Sequence, residues 1–326
     1  MYKKIIQKTV TIKHEVTKGD KREMNQKNKR PKIITVTAFK GGTGKTTISY
    51  ALAGKLAEKH KVLVIDVDGQ GNMTNRCNLK KATENEISVY DLYRNIINGY
   101  RKPTPEEMIN FAPIKELPKL DIIISSREML GGARSFIHYA RRTGKGTIEQ
   151  ICKLDFAMKD FIEENMDYFN QYDYIIFDTN PAKDIYTIGA YLASNAILIV
   201  TDTSDDAVKG TSDVCDLWDG ERYALSVEYG LDIKDNIEGI IINNDDGLRK
   251  NNGKKAYERI SNNEYINELL LKDRVPRSSA MIRSAEQRKP VNVLYAGKKL
   301  KDKSPEKRVL DAINGIINDL KERGVL

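Results

Sequence analysis

The segment Phe39-Lys40-Gly41-Gly42-Thr43-Gly44-Lys45-Thr46-Thr47 constrains this chain more than any other. It follows the β-branched run Ile33–Thr37 and opens residues 44–60, where Ile48, Leu52 and Leu56 stand at helical spacing. Glycines between a strand and a helix let backbone N–H groups curl around an anion without Cβ clashes. The helix N-terminus behind them adds partial positive charge. At this spacing Lys45 can reach β- and γ-phosphates, and the Thr46 hydroxyl can ligate Mg²⁺. The pattern therefore asks for ATP and Mg²⁺, with Gly41, Gly42, Thr43, Gly44, Lys45, Thr46 and Thr47 around the phosphates.

The rest of the chain alternates short apolar runs with longer segments. Ile33–Thr37, Val62–Ile65, Leu120–Ile124, Tyr174–Phe177, Ala196–Val200 and Ile237–Ile242 read as six strands. Each is apolar on both faces, as a parallel sheet covered by helices requires. The spacing predicts an α/β fold: a mostly parallel central β-sheet flanked by helices, a P-loop NTPase with a deviant Walker A loop. Residues 84–118 and 205–235 read as helical insertions of a single domain spanning 33–326. Residues 1–32 are expected to form a basic, flexible N-terminal extension.

Four ordered motifs carry a family resemblance. The loop has a second lysine, Lys40, in the form xKGGxGKT, and Phe39 where the strict pattern has glycine. Val62 to Thr74 reads VLVIDVDGQGNMT, and Asp173-Tyr174-Ile175-Ile176-Phe177-Asp178 follows later. Val275-Pro276-Arg277, Ser284-Ala285-Glu286 and Lys289-Pro290-Val291 close the series. Together these resemble the ParA/MinD family of ATPases, and the DxDxQGNxT segment resembles its ParA partition branch. Gly69 departs from the family's usual proline, and Thr179-Asn180-Pro181 from its Cys-Pro-Pro.

The resemblance implies the remaining roles. Asp68 would orient the attacking water, and Asp66 and Asp178 would lie by the Mg²⁺ with Thr46. Asp178 also ends an apolar strand, where ligands collect in such sheets. Lys40 would cross a homodimer interface to the partner's nucleotide, as an arginine finger does in trans. Asn243, Pro276 and Arg277 are candidates for flanking the adenine, although such residues also simply begin loops. The family further implies an ATP-dependent homodimer, non-specific DNA binding, a ParB-type centromere-binding partner, and a cytoplasmic, nucleoid-associated location.

Charge bears on the DNA. The chain is +8, and residues 1–32 carry all of it, with eleven basic and three acidic side chains. The body is balanced at 43 basic and 43 acidic residues. The leader fits a polyanion-binding tail and a solvated leader equally well. Arg283, Arg288, Lys298, Lys299 and Lys301 form a second basic cluster, open to phosphate contact or to plain solvation. A MinD-like, membrane-associated positioning ATPase is the alternative reading. It would need a terminal amphipathic helix. The stripe Val309, Leu310, Ile313, Ile316, Ile317 and Leu320 instead suits packing on the body, so no membrane partner is expected. Cys77, Cys152 and Cys215 lie too far apart in sequence for a CxxC site and fit a reduced protein.

Overall fold

The computed structural model describes residues 29–82, 86–131, 154–245, 258 and 263–326. Most of the basic leader and Cys152 lie outside the described residues. The chain runs through β1 (Lys32–Thr37), α1 (Lys45–Leu56), β2 (Val62–Asp66), α2 (Asn72–Arg76), α3 (Val89–Asn98) and α4 (Pro105–Met108). Then come β3 (Ile109–Asn110), β4 (Leu120–Ile123), a 3₁₀ turn (Arg127–Gly131), α5 (Ala157–Glu164) and α6 (Met166–Phe169). β5 (Tyr174–Asp178), α7 (Ile185–Ala193), β6 (Ala196–Thr201), α8 (Asp205–Tyr229) and β7 (Ile237–Ile242) follow. α9 (Glu264–Leu269), α10 (Ser279–Glu286), α11 (Val291–Leu294) and α12 (Pro305–Glu322) end the chain.

Among the described residues the sheet has seven strands in the order β3-β4-β2-β5-β1-β6-β7. All neighbours pair in parallel except β3 with β4. The six expected strands are present. The seventh, β3, was not expected, because two residues are too short to show alternation. Every residue of β2, β5 and β6 is buried, which explains their continuous apolar runs. One face is covered by α1, α10, α11 and α12, where Ile48, Leu52, Val309, Ile313 and Ile316 meet the sheet. The other face is covered by α3, α5, α7 and α8.

Three expectations need correction. The first helix ends at Leu56 rather than residue 60. Residues 84–118 hold α3, α4 and the edge strand β3 instead of helix alone. Residues 205–235 are no insertion: α8 is the crossover that returns the chain from β6 to the parallel strand β7. Its Trp218 is fully buried against Tyr191 of α7. Parallel neighbours need such a crossover, so its length is set by the sheet.

The stripe on α12 packs as expected, with Val309, Ile313, Ile316 and Leu320 each almost wholly buried. That leaves it no apolar face for a lipid surface. Among the described residues no helix is long and apolar enough to cross a membrane.

Candidate nucleotide site

The parallel register decides what gathers at the carboxyl edge. β1 lies between β5 and β6, so its trailing loop leaves the sheet near the ends of both. β2 pairs with β5 so that Asp66 stands opposite Asp178, and β1 places Val36 opposite Asp178. Three motifs spread over more than a hundred residues of sequence thus converge on one edge.

The loop is shaped by two glycines at positive φ, Gly42 at 84° and Gly44 at 92°. Gly44 is the N-cap of α1 and supplies no side-chain cap. The first N–H groups of α1 are therefore left to an external anion. A Cβ on Gly44 would run into the Asn243 amide. Gly44→Ala should therefore abolish nucleotide binding and cost about 1–3 kcal/mol of stability from the forced left-handed backbone. Denaturant unfolding and nucleotide titration of the variant check both. Wild-type binding would show that the loop tolerates the side chain.

Lys45 is buried between Asp178 and Asp68. Burial pushes its ammonium below the ordinary lysine range, while the two carboxylates pull it back up. Thr46 Oγ1 donates to Asp178 Oδ2 at 2.8 Å. The Ser49 hydroxyl lies 2.8 Å from Asp178 Oδ1 and 3.0 Å from the Lys45 carbonyl. A threonine hydroxyl beside a strand-end carboxylate is the donor set that Mg²⁺ takes, since it keeps several waters and few direct protein ligands. No group of three His, Cys, Asp or Glu side chains converges on a metal position among the described residues. The residues present fit a water-rich Mg²⁺ and do not form an all-protein cage.

Asp66 stands opposite Asp178 and also holds the loop that follows it. Its Oδ2 accepts the Thr74 N–H at 2.8 Å and the Thr74 hydroxyl at 2.7 Å, and its Oδ1 accepts the Asp68 N–H at 3.2 Å. It is a latch that holds the loop bearing Asp68. Burial, then Asp178, pushes its carboxyl above the usual range. Asp178 is likewise raised by burial, with Ser49, Thr46 and Lys45 opposing. Asp68 lies on that latched loop, its Oδ1 accepting the Gln70 N–H at 2.8 Å. Burial raises its carboxyl too, against the pull of the Gln70 N–H and Lys45. The proline position that this chain fills with Gly69 has a cause here. A Cβ on Gly69 would lie 2.8 Å from the Leu130 backbone nitrogen.

The Asn243 Nδ2 donates to the Thr43 carbonyl at 2.7 Å, so the amide braces the phosphate loop while the residue also lines the cavity beside it. Beyond it, Val275 and Arg277 pair with Ile242 and Asp245 through backbone bonds of 2.9 and 3.1 Å. Pro276 forms the bridge to Asp245. This pairing brings Asn244 and Arg277 to a cavity of about 710 Å³ that Gly42, Gly44, Thr47 and Arg76 also line. Arg76 carried no signal in the sequence patterns.

Lys40 does not reach the loop's own phosphate position. Its Nζ is held by the Ser204 hydroxyl, with Asp202 Oδ2 at 4.0 Å, at the N-terminus of α8. Of the basic cluster, Arg283 is spent inside the chain, its Nε donating to the Tyr295 hydroxyl at 2.9 Å and its Nη2 pairing with Glu306 at 2.5 Å. Lys298 lies 5.0 Å over the Tyr295 ring. Arg288, Lys298, Lys299 and Lys301 are exposed.

A family model described as an AAA domain matches residues 31–219. The chain is 28% identical over 265 residues to the sporulation initiation inhibitor protein Soj of Bacillus subtilis, covering 81% of this chain and 91% of Soj. It is 24% identical to the chromosome partitioning protein ParA of Myxococcus xanthus, covering 81% of each. Among solved structures, an ATP complex of a Cyanothece McdA variant superposes with a TM-score of 0.67 at 17% identity. That match covers 90% of this chain and 98% of McdA, and shows a shared fold.

Proposed function

Because this chain belongs to the ParA branch of the ParA/MinD family of P-loop ATPases, we propose that it is a DNA-segregating partition ATPase. It binds ATP with Mg²⁺, pairs into a homodimer with the nucleotides between the subunits, and holds DNA without sequence preference. Hydrolysis, stimulated by a ParB-type centromere-binding protein, ends the cycle. The observation that carries this reading is the convergence at one sheet edge of the glycine loop, the buried Lys45, the Thr46–Asp178 pair and the latched Asp68. Residues 33–326 act as one ATPase domain behind the basic extension 1–32, in the cytoplasm and on the nucleoid.

Each residue has a step. The loop N–H groups and Lys45 cradle the phosphates, and Gly42 and Gly44 keep Cβ atoms out of their way. Bound Mg²⁺ would supply charge neutralisation at the phosphates, and Thr46 and Asp178 are the residues that would hold it. Asp68 orients the attacking water, and Asp66 fixes the loop that carries it. Lys40 leaves Ser204 and Asp202 when two subunits meet and reaches the partner's nucleotide. Asn244, Pro276 and Arg277 flank the base, with Asn243 bracing the phosphate loop beside them. Arg288, Lys298, Lys299 and Lys301 contact DNA phosphates, alongside the leader.

DNA retention measured with ATP and with ADP tests the reading. ATP should support binding whose affinity falls steeply with salt, and ADP should not. Deleting residues 1–30 should weaken that binding and flatten the salt dependence. Equal retention with both nucleotides would contradict the cycle. An unchanged slope after deletion would remove the leader from the interface.

A further inference from the structure

Arg76 stands at the end of the short helix α2 and on the wall of the nucleotide cavity. Its Nη2 donates to Thr47 Oγ1 at 3.0 Å. Its guanidinium carbon lies 5.7 Å from the centroid of the buried Tyr50 ring. The Tyr50 hydroxyl donates to the Arg76 carbonyl at 2.9 Å, so both ends of the residue are pinned. Its Nη1 is buried and has no hydrogen-bond partner. Among the described residues it makes no ion pair. Burial accordingly pulls the guanidinium below its ordinary range, with only the field of Asp178 and weaker neighbours against it.

An arginine so placed is expensive. A buried donor without an acceptor costs about 1–3 kcal/mol, and more when charged. Such groups persist where something else satisfies them. The cavity wall that Arg76 shares with Gly44 and Thr47 is the one the glycine loop prepares for phosphate. The same cavity extends to Asn244 and Arg277, whereas Asp68 and Asp178 do not line it. Arg76 thus shares one wall with Asn244 and Arg277, the residues read as flanking the base.

We infer that Arg76 is a nucleotide-binding residue supplied in cis, its guanidinium on the cavity wall pairing with the base-proximal phosphates common to ADP and ATP. This deepens the nucleotide reading of the same site and rests on it. Charge-assisted bonds to phosphate are the strong ones, and a guanidinium already fixed on Thr47 and Tyr50 loses little freedom in making them. The effect belongs to binding of either nucleotide, so it does not discriminate ATP from ADP.

The test is calorimetric titration of ADP and AMPPNP into the wild-type chain, Arg76→Gln and Arg76→Lys, with thermal unfolding of each protein alone. Arg76→Gln should weaken both ligands by the same factor, on the order of 10- to 100-fold. Its unfolding midpoint without nucleotide should stay at or above wild type, because an unpaired buried charge has gone. Arg76→Lys keeps the charge but not the fork, and should bind both ligands about 3- to 10-fold more weakly than wild type. If the glutamine variant does not fold, the lysine variant decides alone. Wild-type affinity in the variant that folds, or a loss confined to AMPPNP, overturns the proposal. A lowered midpoint with unchanged affinity does so as well, since Arg76 would then be a packing residue. Failure of the wild-type chain to bind either nucleotide would overturn the whole nucleotide reading. Wild-type binding with an unaffected Arg76→Gln would overturn this assignment only.

Discussion

Lys45→Ala is expected to reduce ATP affinity on the order of 100-fold or more, with no compensation from the loop backbone. Truncating one partner of a buried charge pair costs about 2–5 kcal/mol, which is roughly 30- to several-thousand-fold in affinity. Lys45 is buried, so no solvent stands in for it. Its removal also takes away the buried cation that acts on both Asp68 and Asp178, whose carboxyls are already raised by burial. The variant should therefore repel ATP as well as fail to attract it. Lys45→Arg is a useful control, because it keeps the charge but brings a larger planar group into a closed position. Titration with ATP reads the effect directly, and wild-type affinity in Lys45→Ala would remove this lysine from the phosphate site.

Asp68→Ala is expected to leave ATP binding within a few-fold of wild type and to lower turnover by about 10²–10⁴. Asp68 is not among the groups that cradle the phosphates, and three bonds to Asp66 hold its loop against the loss of the one bond from the Gln70 N–H to its own carboxylate. The loop should keep its course when the carboxylate is lost. The variant should accumulate in the ATP-bound form, since the step that ends that state is the one removed. Single-turnover hydrolysis checks it. Turnover at the wild-type rate would place water orientation on another residue. Asp66→Ala should behave differently, because it cuts three hydrogen bonds that fix residues 66–74.

The contrast between these two aspartates shows what a sequence can and cannot carry. Both belong to one motif at the end of β2, two places from β1 in the sheet, and both read as metal- or water-facing carboxylates. Only the side-chain geometry separates a latch from an acting group. The glycine loop was legible, because Gly42, Gly44 and Lys45 act through local backbone shape and spacing. The six long strands were legible too, because continuous apolar runs mark burial on both faces. β3 was not, since its two residues depend on pairing with β4. Nor was the brace from Asn243 to the Thr43 carbonyl, which joins residues 200 apart. Ser49, Thr74 and Arg76 escaped for the same reason. Each acts through a partner that only the folded sheet brings near, and small hydroxyls or a lone arginine carry no periodic signal. The Ser204–Asp202 hold on Lys40 is a further case, because those partners lie more than 160 residues away in sequence.

The central claim is that ATP, and not ADP, joins two copies of this chain through the site built at the carboxyl edge of the sheet. Light scattering on the Asp68→Ala protein tests it most directly, since hydrolysis cannot dissolve the complex during the measurement. With ATP and Mg²⁺ the mass should double from 37.0 kDa, and with ADP it should not. Adding Lys40→Ala to the same protein should leave ATP bound but weaken the pairing. The same mass with ATP and with ADP would contradict the account.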